Sequence, residues 1–595
     1  MKKARSTLIF LADSALLLFA AGVAAGCRQE AEVVETVVSE TVYAETLRVE
    51  SPPEKVQYFV EDALDLKGLS VVYVQADGTC RELERDSYSV EPPDGAVLTE
   101  AGTHDVRVVY GDFAASFRVA VMKPVFAFWS QPEGAEIPMY ADDYLLKATV
   151  FVDCSGELSY RWFRKNPNEA EFSEVFASDA SAVEFGSWCE VSLPFSSLER
   201  NDYVLAEYYC TATLVSSGGR KSVDSDAAVI CRTVGSGLPV VTVDTNDVPI
   251  LNKEDWIPGT ISIAGADDAD WNCETVETFI RGRGNSTWNQ KKKPYALKLG
   301  KKREMLGMPK HKRWVLIANY LDNSFIKNEM AFCLSRQLGM DWTVGGEYVQ
   351  LVLNGEFLGL YWLGEAIKAD ENRVAIDEDD DYLMELDTYF DEAWKFKSEK
   401  KGLPYNIKND DSMTDERLKD IEQWIAQIEG ELYGDAADIR HIDVDSFAQF
   451  YVVNEVMRNG ELGHPKSCYV LFDNTAHLLK AGPVWDFDWA AGRNDTDFID
   501  RNTIYFGALF KTPEFNDAVS KYAARLDADA ACARADAIRG AISSAAELDA
   551  LRWGAHPNPV GSPPLDSFDE DFDFVKDVVR NRILWIAGES FSVPE

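Results

Sequence analysis

The alternation of apolar and polar residues in short runs constrains the fold of this chain more than any other feature. From about residue 48 to residue 235, runs of five to ten residues alternate in this way, and Gly, Asp and Pro separate them, as in YSVEPPDG and THDVRVVYGDFAASFRVAV. Alternation with a period of two predicts half-buried strands, and closely spaced turn residues predict antiparallel hairpins. This part of the chain is therefore predicted to be all-β.

Two sandwiches fit this length of β-structure. Residues 48–123 resemble a bacterial Ig-like domain, and residues 124–235 resemble the Ig fold more generally. The first resemblance rests on strands joined by Asp-Gly and Gly-Asp turns, as in LSVVYVQADGTCREL. The two units are predicted to be all-β Ig-like sandwiches. A purely structural role and a role as spacer or binding module are both open.

The second sandwich carries a spacing of aromatic and sulfur residues that is typical of the Ig fold. Cys154 and Trp162 are eight positions apart, and Tyr208 precedes Cys210 by two. In Ig domains a core Trp packs on the disulfide, and a Tyr lies two residues before the second Cys. The resemblance therefore implies a Cys154–Cys210 bridge. The cysteines show no CxxC pair, and we predict no zinc site.

The N-terminus has the pattern of an export signal. In residues 1–26 a basic start precedes an apolar stretch that ends in small residues, as in a secretory signal. The sequence AAGC around Cys27 resembles a bacterial lipobox. The resemblance implies lipidation of Cys27 and a membrane partner, with the protein exported to the outer face of the cytoplasmic membrane or the cell envelope. A plain cleaved signal is the alternative. Residues 27–47 are acidic and are predicted to be a linker.

The charge balance excludes one class of partner. The chain has 59 Lys and Arg residues against 100 Asp and Glu residues, and its formal net charge is −41. Such a surface repels the phosphates of DNA and RNA. We therefore expect no nucleic-acid partner.

From about residue 238 the pattern changes from strands alone to strands followed by helices. Residues 238–368 are rich in strand patterns and basic residues, whereas residues 369–595 are rich in helical patterns and acidic residues. A sheet-rich part followed by a helix-rich part predicts an α+β domain of two lobes with a cleft between them.

Local patterns within this domain predict individual elements. Residues 345–368 read as a hairpin that turns at Asn354 and Gly355. Apolar residues at helical spacing predict helices over about 413–433 and 444–458.

The segment VWDFD, residues 484–488, places two acids among aromatic residues. Carboxylates buried without partners cost several kcal/mol each. One interpretation is structural, since alternation on a strand puts Asp486 and Asp488 on one face with the aromatics behind them. The other is that they bind a metal. Together with Asn459, which ends a helix ahead of them, they are hard oxygen ligands that suit magnesium.

Basic residues and glycines precede these acids in the chain. RGRGNSTW, from Arg281 to Trp288, has glycines at two alternate positions, which let backbone amides approach an anion. A hairpin turn also explains the glycines and is the favoured interpretation. Lys298 lies in the otherwise apolar strand PYALKL, where it must find an anion or reach water. A phosphate is one candidate anion, and snorkelling to solvent is the alternative.

Eight segments in a fixed order make residues 238–595 similar to the CotH family, whose namesakes are spore-coat proteins that are atypical protein kinases. The segments are RGRGNSTW, KKPYALKL, LGMPKHKRWVLIANYLD, YVQLVLNGEFLGLYWLGEAIK, NRVAI, YLMELD, HPKSCYV and GPVWDFDWAAG.

The resemblance implies a divergent, two-lobed protein-kinase-like fold that uses ATP and Mg²⁺ (or Mn²⁺) to phosphorylate serine on a protein substrate. Asp486 begins a DFD that stands where kinases have Asp-Phe-Gly, so it would bind metal and serve catalysis. Asp488 would support the metal or the fold.

The resemblance also implies positions for nucleotide contacts. Lys298 matches the strand lysine that contacts the nucleotide phosphates, and Arg281 and Arg283 would meet phosphate or carboxylate. Glu365 lies at a hinge-like place near the adenine.

Glu461 departs from the family pattern. Many relatives have Asn-x-Asp after the helix, with the Asp as catalytic base, whereas this chain has Asn459-Gly460-Glu461. Glu is longer by one methylene, and a misplacement of about 1 Å can cost on the order of a hundredfold in rate. A kinase with Glu461 as its base and a non-catalytic surface adhesion or scaffold protein are therefore both open.

Overall fold

The computed structural model describes residues 44–499, 501–557 and 567–591. The predicted signal segment, Cys27 and most of the predicted linker lie outside the described residues. Within them the chain divides into two compact units, with the boundary along the chain between Pro124 and Val125. No helix of the described residues is both long and apolar enough to cross a membrane.

The first unit consists of two sheets around one apolar core. Strand β1 begins at Thr46, so the last two residues of the predicted linker belong to the sheet. One sheet has the order β1-β3-β4 and the other β2-β7-β6-β5. The strands are β1 (Thr46–Ser51), β2 (Gln57–Phe59), β3 (Ser70–Val74), β4 (Cys80–Glu82), β5 (Ser89–Glu91), β6 (Gly102–Tyr110) and β7 (Phe113–Met122).

The second unit begins with another all-β region, as the alternation predicts. One sheet has the order β14-β10-β8; the other has the order β12-β11-β15-β17-β9, with β13 and β16 at its edges. Both contribute to one core, in which Trp162 is fully buried. The strands are β8 (Ala127–Ser130), β9 (Ala135–Pro138), β10 (Leu145–Phe151), β11 (Gly156–Lys165), β12 (Ser173–Ala177), β13 (Ser181–Val183), β14 (Trp188–Pro194), β15 (Leu205–Ser216), β16 (Gly219–Asp224) and β17 (Ala228–Thr233).

The predicted Cys154–Cys210 disulfide is wrong, since both thiols are free. Cys154 lies before β11, whereas Cys210 pairs in register with Trp162 near the far end of that strand. At about 3.3 Å per residue the two cysteines are roughly 20 Å or more apart along the strand, and a disulfide needs Cα atoms within about 7 Å. Tyr208, the tyrosine two residues before Cys210, accepts a hydrogen bond from Arg232 through its hydroxyl.

A closed seven-stranded barrel follows, with the order β18-β19-β20-β21-β22-β24-β23. Its interior is apolar. The predicted hairpin is confirmed, because β23 and β24 are joined by Asn354 and Gly355, both at positive φ (51° and 74°). The strands are β18 (Val240–Asp244), β19 (Ile257–Ala264), β20 (Cys273–Gly282), β21 (Tyr295–Met305), β22 (Met308–Ile317), β23 (Gly346–Leu353) and β24 (Glu356–Glu365).

The remaining chain packs helices on a five-stranded sheet of order β26-β27-β25-β28-β29. The helices predicted over 413–433 and 444–458 are confirmed as α2 and α3, while this sheet was not predicted. The described residues contain seven α-helices. The elements are α1 (Lys327–Leu338), β25 (Tyr382–Leu386), β26 (Lys395–Lys397), β27 (Pro404–Ile407), α2 (Asp415–Leu432), α3 (Val444–Met457), β28 (Cys468–Asp473), β29 (Leu478–Ala481), α4 (Phe506–Leu509), α5 (Pro513–Ala523), α6 (Ala528–Trp553) and α7 (Phe568–Gly588).

The prediction that VWDFD forms a strand is wrong. The chain leaves β29 at Ala481, and residues 484–488 belong to no strand. Asp486 has a φ of 63°, in the left-handed region, which interrupts the alternation that a strand requires. The two acids are therefore not related by strand geometry.

The second β-region packs directly on the barrel within the same compact unit. Arg552, at the end of α6, forms ion pairs with Asp202 of that region and with Glu356 of β24. Met139 and Phe357 share a small apolar cluster beside these pairs. The end of α6 therefore joins the β-region to the barrel.

Candidate functional site

Two adjoining cavities lie between the barrel and the five-stranded sheet. The first, which we call the carboxylate cavity, has a volume of about 420 Å³, and its lining includes Glu461, Asp486 and Asp488. The second, the basic cavity, has a volume of about 840 Å³ and is lined by Lys298 among other cations. The residues common to both linings are Arg281, Arg283, Glu392, Lys408, Tyr469 and Trp485.

The first turn of α1 holds the VWDFD segment in place. The Asn328 side chain donates to Asp488 Oδ1 (3.0 Å) and accepts from the backbone amide of Phe487 (2.9 Å). The Lys327 ammonium donates to the Asp488 carbonyl oxygen (3.1 Å). All these polar groups are buried, so the helix start fixes the direction in which Asp488 points.

Asp486 has a different environment. Its Oδ2 accepts a hydrogen bond from the Ser467 hydroxyl at 3.3 Å. Both residues have left-handed backbones, with φ of 63° and 52°. Non-glycine residues in this region are uncommon and concentrate at functional sites.

The carboxylates of the cavity destabilise one another's charged forms. Burial, reinforced by the charge of Asp486, raises the pKa of Glu461 to about 8. Burial and the same neighbour raise the pKa of Asp488 to about 7, and burial raises that of Asp486. Three acids with this behaviour form a site in which a cation would be favourable.

The acids suit a metal only if other ligands complete its shell. Among the described residues no group of three or more His, Cys, Asp and Glu side chains could hold a metal by itself. Mg²⁺ is commonly held by one or two carboxylates together with waters and substrate phosphates. Asp486 and Asp488 therefore fit a magnesium ion that arrives with a phosphate, and they do not form an all-protein cage.

The Asn459 side chain forms its hydrogen bonds with other residues and not with these two acids. Its Oδ1 accepts from the Glu461 amide (3.1 Å), and its Nδ2 donates to Asn454 (2.9 Å). It is buried, and it does not line the carboxylate cavity. Its side chain caps the 3-10 turn Gly460–Gly463, which carries Glu461 into the cavity.

Lys298 lies on the outer face of the barrel, in the basic cavity. Lys298 pairs in register with Arg313 on one side and Phe279 on the other. Its ammonium forms no ion pair with a described residue, and it does not line the carboxylate cavity. Lys298 and Asp486 thus belong to adjoining cavities with common walls.

The two arginines lie at the boundary of the cavities. The Arg281 guanidinium stacks on Trp256 (4.6 Å), and its Nε is buried without a hydrogen-bond partner among the described residues, while Arg283 lies over Trp485 (5.5 Å). Neither forms an ion pair with a carboxylate of the described residues. Burial lowers the pKa of Arg281 from its ordinary value. An anion between the cavities would meet both cations.

The glycines of RGRGNSTW are explained by close packing. A Cβ on Gly282 would lie 2.5 Å from the Trp288 ring, and one on Gly284 would lie 2.1 Å from Thr287 Oγ1. Gly284 also has a φ of 78°. Close packing on Trp288 therefore requires Gly282, and a tight turn requires Gly284, which agrees with the turn interpretation of the sequence.

Glu365 lines neither cavity. It is buried, it forms an ion pair with Arg373 at 2.6 Å, and it accepts from the Gly345 amide at 2.9 Å. The residues that follow it, from Ala366 to Asp370, line the basic cavity. The predicted hinge-like segment is thus next to the basic cavity, whereas the Glu365 carboxylate pairs with Arg373.

Several cavity residues had no separate signal in the sequence. Lys408 lies at the common wall and pairs with Glu385 (3.0 Å) and Glu392. Asn328 and Asp387 also line the carboxylate cavity. Their elements lie far apart in the chain, and neither spacing nor hydrophobic period brings them together. Asp387 belongs to the quoted segment YLMELD, which was the only available indication.

We expect Asp387→Asn to stabilise the protein at neutral pH. Burial raises the pKa of Asp387 to about 6. An acid with a raised folded pKa disfavours the fold where it is ionised in both states, and the penalty disappears as pH falls from about 6 towards the unfolded value of about 4. The variant should therefore raise the free energy of unfolding by about 1–3 kcal/mol at pH 7.5, with little gain at pH 4.

Thermal unfolding over a pH series checks this expectation. The matched control is Asp391→Asn, since Asp391 lines the same cavity but is exposed. A gain for Asp387→Asn that is equal at pH 4 and pH 7.5 would contradict the electrostatic explanation.

Comparison with known proteins places this site within a family. The model for the CotH kinase protein family matches residues 280–586, and that for the bacterial Ig-like domain (group 3) matches residues 51–121. No curated protein matches the chain.

Solved structures show only distant similarity. Native E. coli alpha-2-macroglobulin matches at 13% identity and a TM-score of 0.17, with 46% of this chain and 21% of that chain covered. A marsupial T cell receptor matches at 9% identity and a TM-score of 0.16, with 47% and 93% covered. This chain thus spans about a fifth of the length of the first structure, and similarity at these scores does not define its fold. The CotH match, by contrast, covers 307 of the 595 residues (280 to 586), and the chain belongs to the CotH kinase protein family, with a bacterial Ig-like domain ahead of the family domain.

Proposed function

We propose that this protein is an atypical protein kinase of the CotH type, which transfers the terminal phosphoryl group of ATP to serine on a protein substrate. The observation that carries the proposal is the junction of the two cavities. Asp486 lines one and Lys298 lines the other, and Arg281 and Arg283 belong to both. A triphosphate across this junction would meet cations from the barrel and carboxylates from the VWDFD segment.

Different residues of the chain would bind the phosphates and the metal during phosphoryl transfer. Lys298, Arg281 and Arg283 would bind the phosphates, since transfer of this kind depends on positioning and on charge stabilisation. Asp486 and Asp488 would hold Mg²⁺ or Mn²⁺, which supplies neutralisation of the charge on the phosphates. The barrel and the helix-rich part would then be the two lobes of a kinase-like domain.

Glu461 would accept the proton of the serine hydroxyl. The 3-10 turn after α3 carries it into the carboxylate cavity, beside Asp486 and Asp488. Burial and negative neighbours make its carboxylate a stronger base than an exposed one. Stronger basicity suits a group that removes a proton near neutral pH.

A Glu461→Gln variant tests this role. General-base catalysis contributes about 10²–10⁴-fold, so we expect the rate of label transfer to fall by about a hundredfold or more. Nucleotide binding should be kept, because the phosphate contacts are elsewhere. Initial rates and a nucleotide-induced rise in melting temperature measure the two properties separately. An unchanged rate would assign the base to another group.

The direct test of the proposed function uses the purified chain with labelled ATP, Mg²⁺ and a serine-rich protein. We expect label on serine, together with a melting temperature that ATP raises only when Mg²⁺ is present. Chelation of the metal by EDTA should abolish both effects. Absence of both label and thermal shift would defeat the proposal.

The location and the β-modules belong to the same proposal. Residues 1–26 would direct export, and lipid on Cys27 would anchor the protein outside the cytoplasmic membrane, with no nucleic-acid partner. The two β-regions would be Ig-like modules that carry the kinase domain. A Cys27→Ser variant should move from the membrane fraction to the soluble fraction, and continued membrane association would argue against the anchor.

One observation favours the scaffold alternative. Trp129 and Trp188 are 49% and 46% exposed on the second β-region, and their rings contact edge to face at 4.3 Å. Exposed aromatic pairs are common at binding surfaces. If a binding partner were retained by a variant with no nucleotide binding at all, the scaffold role would replace the kinase role.

A further inference from the structure

The residues that directly follow the VWDFD acids form a segment with no helix or strand, residues 489–499, which we call the connecting segment. Two of its backbone amides donate to α3. The Ala491 amide donates to the Met457 carbonyl (2.7 Å), and the Ile499 amide donates to the Glu455 carboxylate (3.1 Å). Because the segment has no ladder of its own, such contacts determine its conformation.

Arg458 ends α3 in an unusual backbone conformation. Its φ of 52° and ψ of 47° are left-handed, at a position where helices usually have Gly or Asn. Its guanidinium reaches the connecting segment, since Nη1 lies 2.6 Å from Asp495 Oδ1 and donates to the Asp497 carbonyl oxygen at 2.7 Å. These contacts give a reason for an arginine where glycine would be free of strain.

A second arginine binds the same segment from α7. The buried Arg582 donates through Nη1 to the carbonyl oxygens of Asp495 (3.0 Å) and Asp497 (2.9 Å). Both acceptors are backbone atoms, which any residue would supply. The Arg458–Asp495 pair, by contrast, depends on the charge of a side chain in the segment.

The end of α3 contacts both parts of the proposed catalytic machinery. Arg458 is followed directly by Asn459, whose side chain caps the turn that carries Glu461. The connecting segment begins directly after Asp488. Movement of the segment away from α3 would therefore change the position of the VWDFD acids relative to Glu461, and a misplacement of about 1 Å can cost on the order of a hundredfold in rate.

We propose that Arg458 and Asp495 are positioning residues for phosphoryl transfer. Their ion pair fixes the connecting segment on the end of α3 and so holds the VWDFD acids and Glu461 in fixed relative positions. Neither residue lines the carboxylate cavity or the basic cavity. The inference rests on the proposed function and extends it to residues outside both cavities.

A double-mutant cycle measures this role. Arg458→Met removes the cation, and Asp495→Asn removes the anion while it keeps the shape of the side chain. We expect each to lower kcat by about tenfold or more with KM for ATP within about threefold, because the phosphate contacts lie elsewhere. The double variant should lose no more than the larger single loss, since both changes break one pair. Arg458→Lys keeps the charge and should retain more of kcat than Arg458→Met.

Tryptic cleavage after Arg493 reports on the segment independently of activity. Arg493 is exposed in the middle of the connecting segment, and cleavage requires local release of the backbone. Arg458→Met and Asp495→Asn should be cleaved there several-fold faster than wild type. Their melting temperatures should stay close to that of wild type, because a partly exposed ion pair contributes little to global stability. A merely structural role would lower the melting temperature and leave the kcat of the folded protein unchanged.

Lys165→Met is the matched control, because Lys165 and Glu207 form a partly buried ion pair (3.0 Å) in the second β-region, outside both cavities. It should keep the wild-type kcat and the wild-type rate of cleavage after Arg493. The proposal is overturned if either single variant keeps kcat within twofold of wild type, if the two losses add in the double variant, or if cleavage after Arg493 is not accelerated.

The wild-type chain separates this proposal from the proposed function. Label on serine from the wild type, with unchanged kcat in the Arg458 and Asp495 variants, would support the kinase and defeat the positioning role. Absence of label from the wild type would defeat both, and faster cleavage after Arg493 in the variants would then show that the pair fixes the segment without a role in transfer.

Discussion

Asp486→Asn is expected to lower serine phosphorylation by on the order of 10²–10³-fold, the loss typical when one group that stabilises transition-state charge is removed. The carboxylate charge would be lost while the shape of the side chain stays. Asn tolerates a left-handed backbone, so the φ of 63° is no obstacle to folding. Burial already raises the pKa of Asp486, so removal of its charge should keep or raise stability.

Initial rates of label transfer and the Mg²⁺-dependent thermal shift by ATP check this expectation. Both should be lost in a protein that still melts at or above the wild-type temperature. Asp247→Asn is a matched control, because Asp247 is exposed and has a φ of 61°. Rates for Asp486→Asn within threefold of wild type would remove Asp486 from the mechanism.

Asp549→Asn is expected to destabilise the fold by about 3–5 kcal/mol, the usual cost of leaving a buried charge without its partner. Asp549 and Lys292 are both buried and lie 2.6 Å apart, and the amide of Leu360 and the His556 ring also contact the Asp549 carboxylate at 2.8 Å each. Burial alone would raise the pKa of Asp549, but Lys292 and His556 outweigh it and hold that pKa below its ordinary value. The variant would leave the Lys292 ammonium inside the protein without a countercharge.

Thermal and denaturant unfolding measure this effect. The double variant Lys292→Met/Asp549→Asn should be less destabilised than Asp549→Asn alone, because it removes both charges and nearly keeps the volume of both side chains. Glu54→Gln is a surface control, since its partner Lys67 is 72% exposed and such pairs contribute about 0–1 kcal/mol. An Asp549→Asn variant as stable as the surface control would contradict this explanation, because it would show that the Lys292 ammonium is not left buried and uncompensated.

The sequence predicted the local elements of this protein well. The alternating runs before residue 235 form strands, the Asn354-Gly355 turn closes its hairpin, and α2 and α3 lie where helical spacing places them. Each of these depends on residues that are close in the chain. The five-stranded sheet was missed because all five of its strands are only three to six residues long and its strand order places β28 beside β25, about 80 residues earlier.

The predictions from sequence were wrong where contacts between distant parts of the chain overrode a local pattern. VWDFD alternates as a strand does, but α1 binds Phe487 and Asp488 through Asn328, about 160 residues earlier, and Asp486 adopts a left-handed backbone. Cys154 and Cys210 have an Ig-like spacing, but the register of β11 and β15 separates them. Register and docking depend on the packing of whole elements, so a short pattern does not encode them.

The sequence by itself determined the all-β start, the change to an α+β domain and the family to which that domain belongs. Only the tertiary structure decided which side chains meet. It placed Lys298 and Asp486 in adjoining cavities with common walls, turned the Glu365 carboxylate towards Arg373 and brought Asn328 into the carboxylate cavity. The physical reason is that strand and helix periods express interactions within a few residues, whereas a binding cavity forms where elements far apart in the chain pack together.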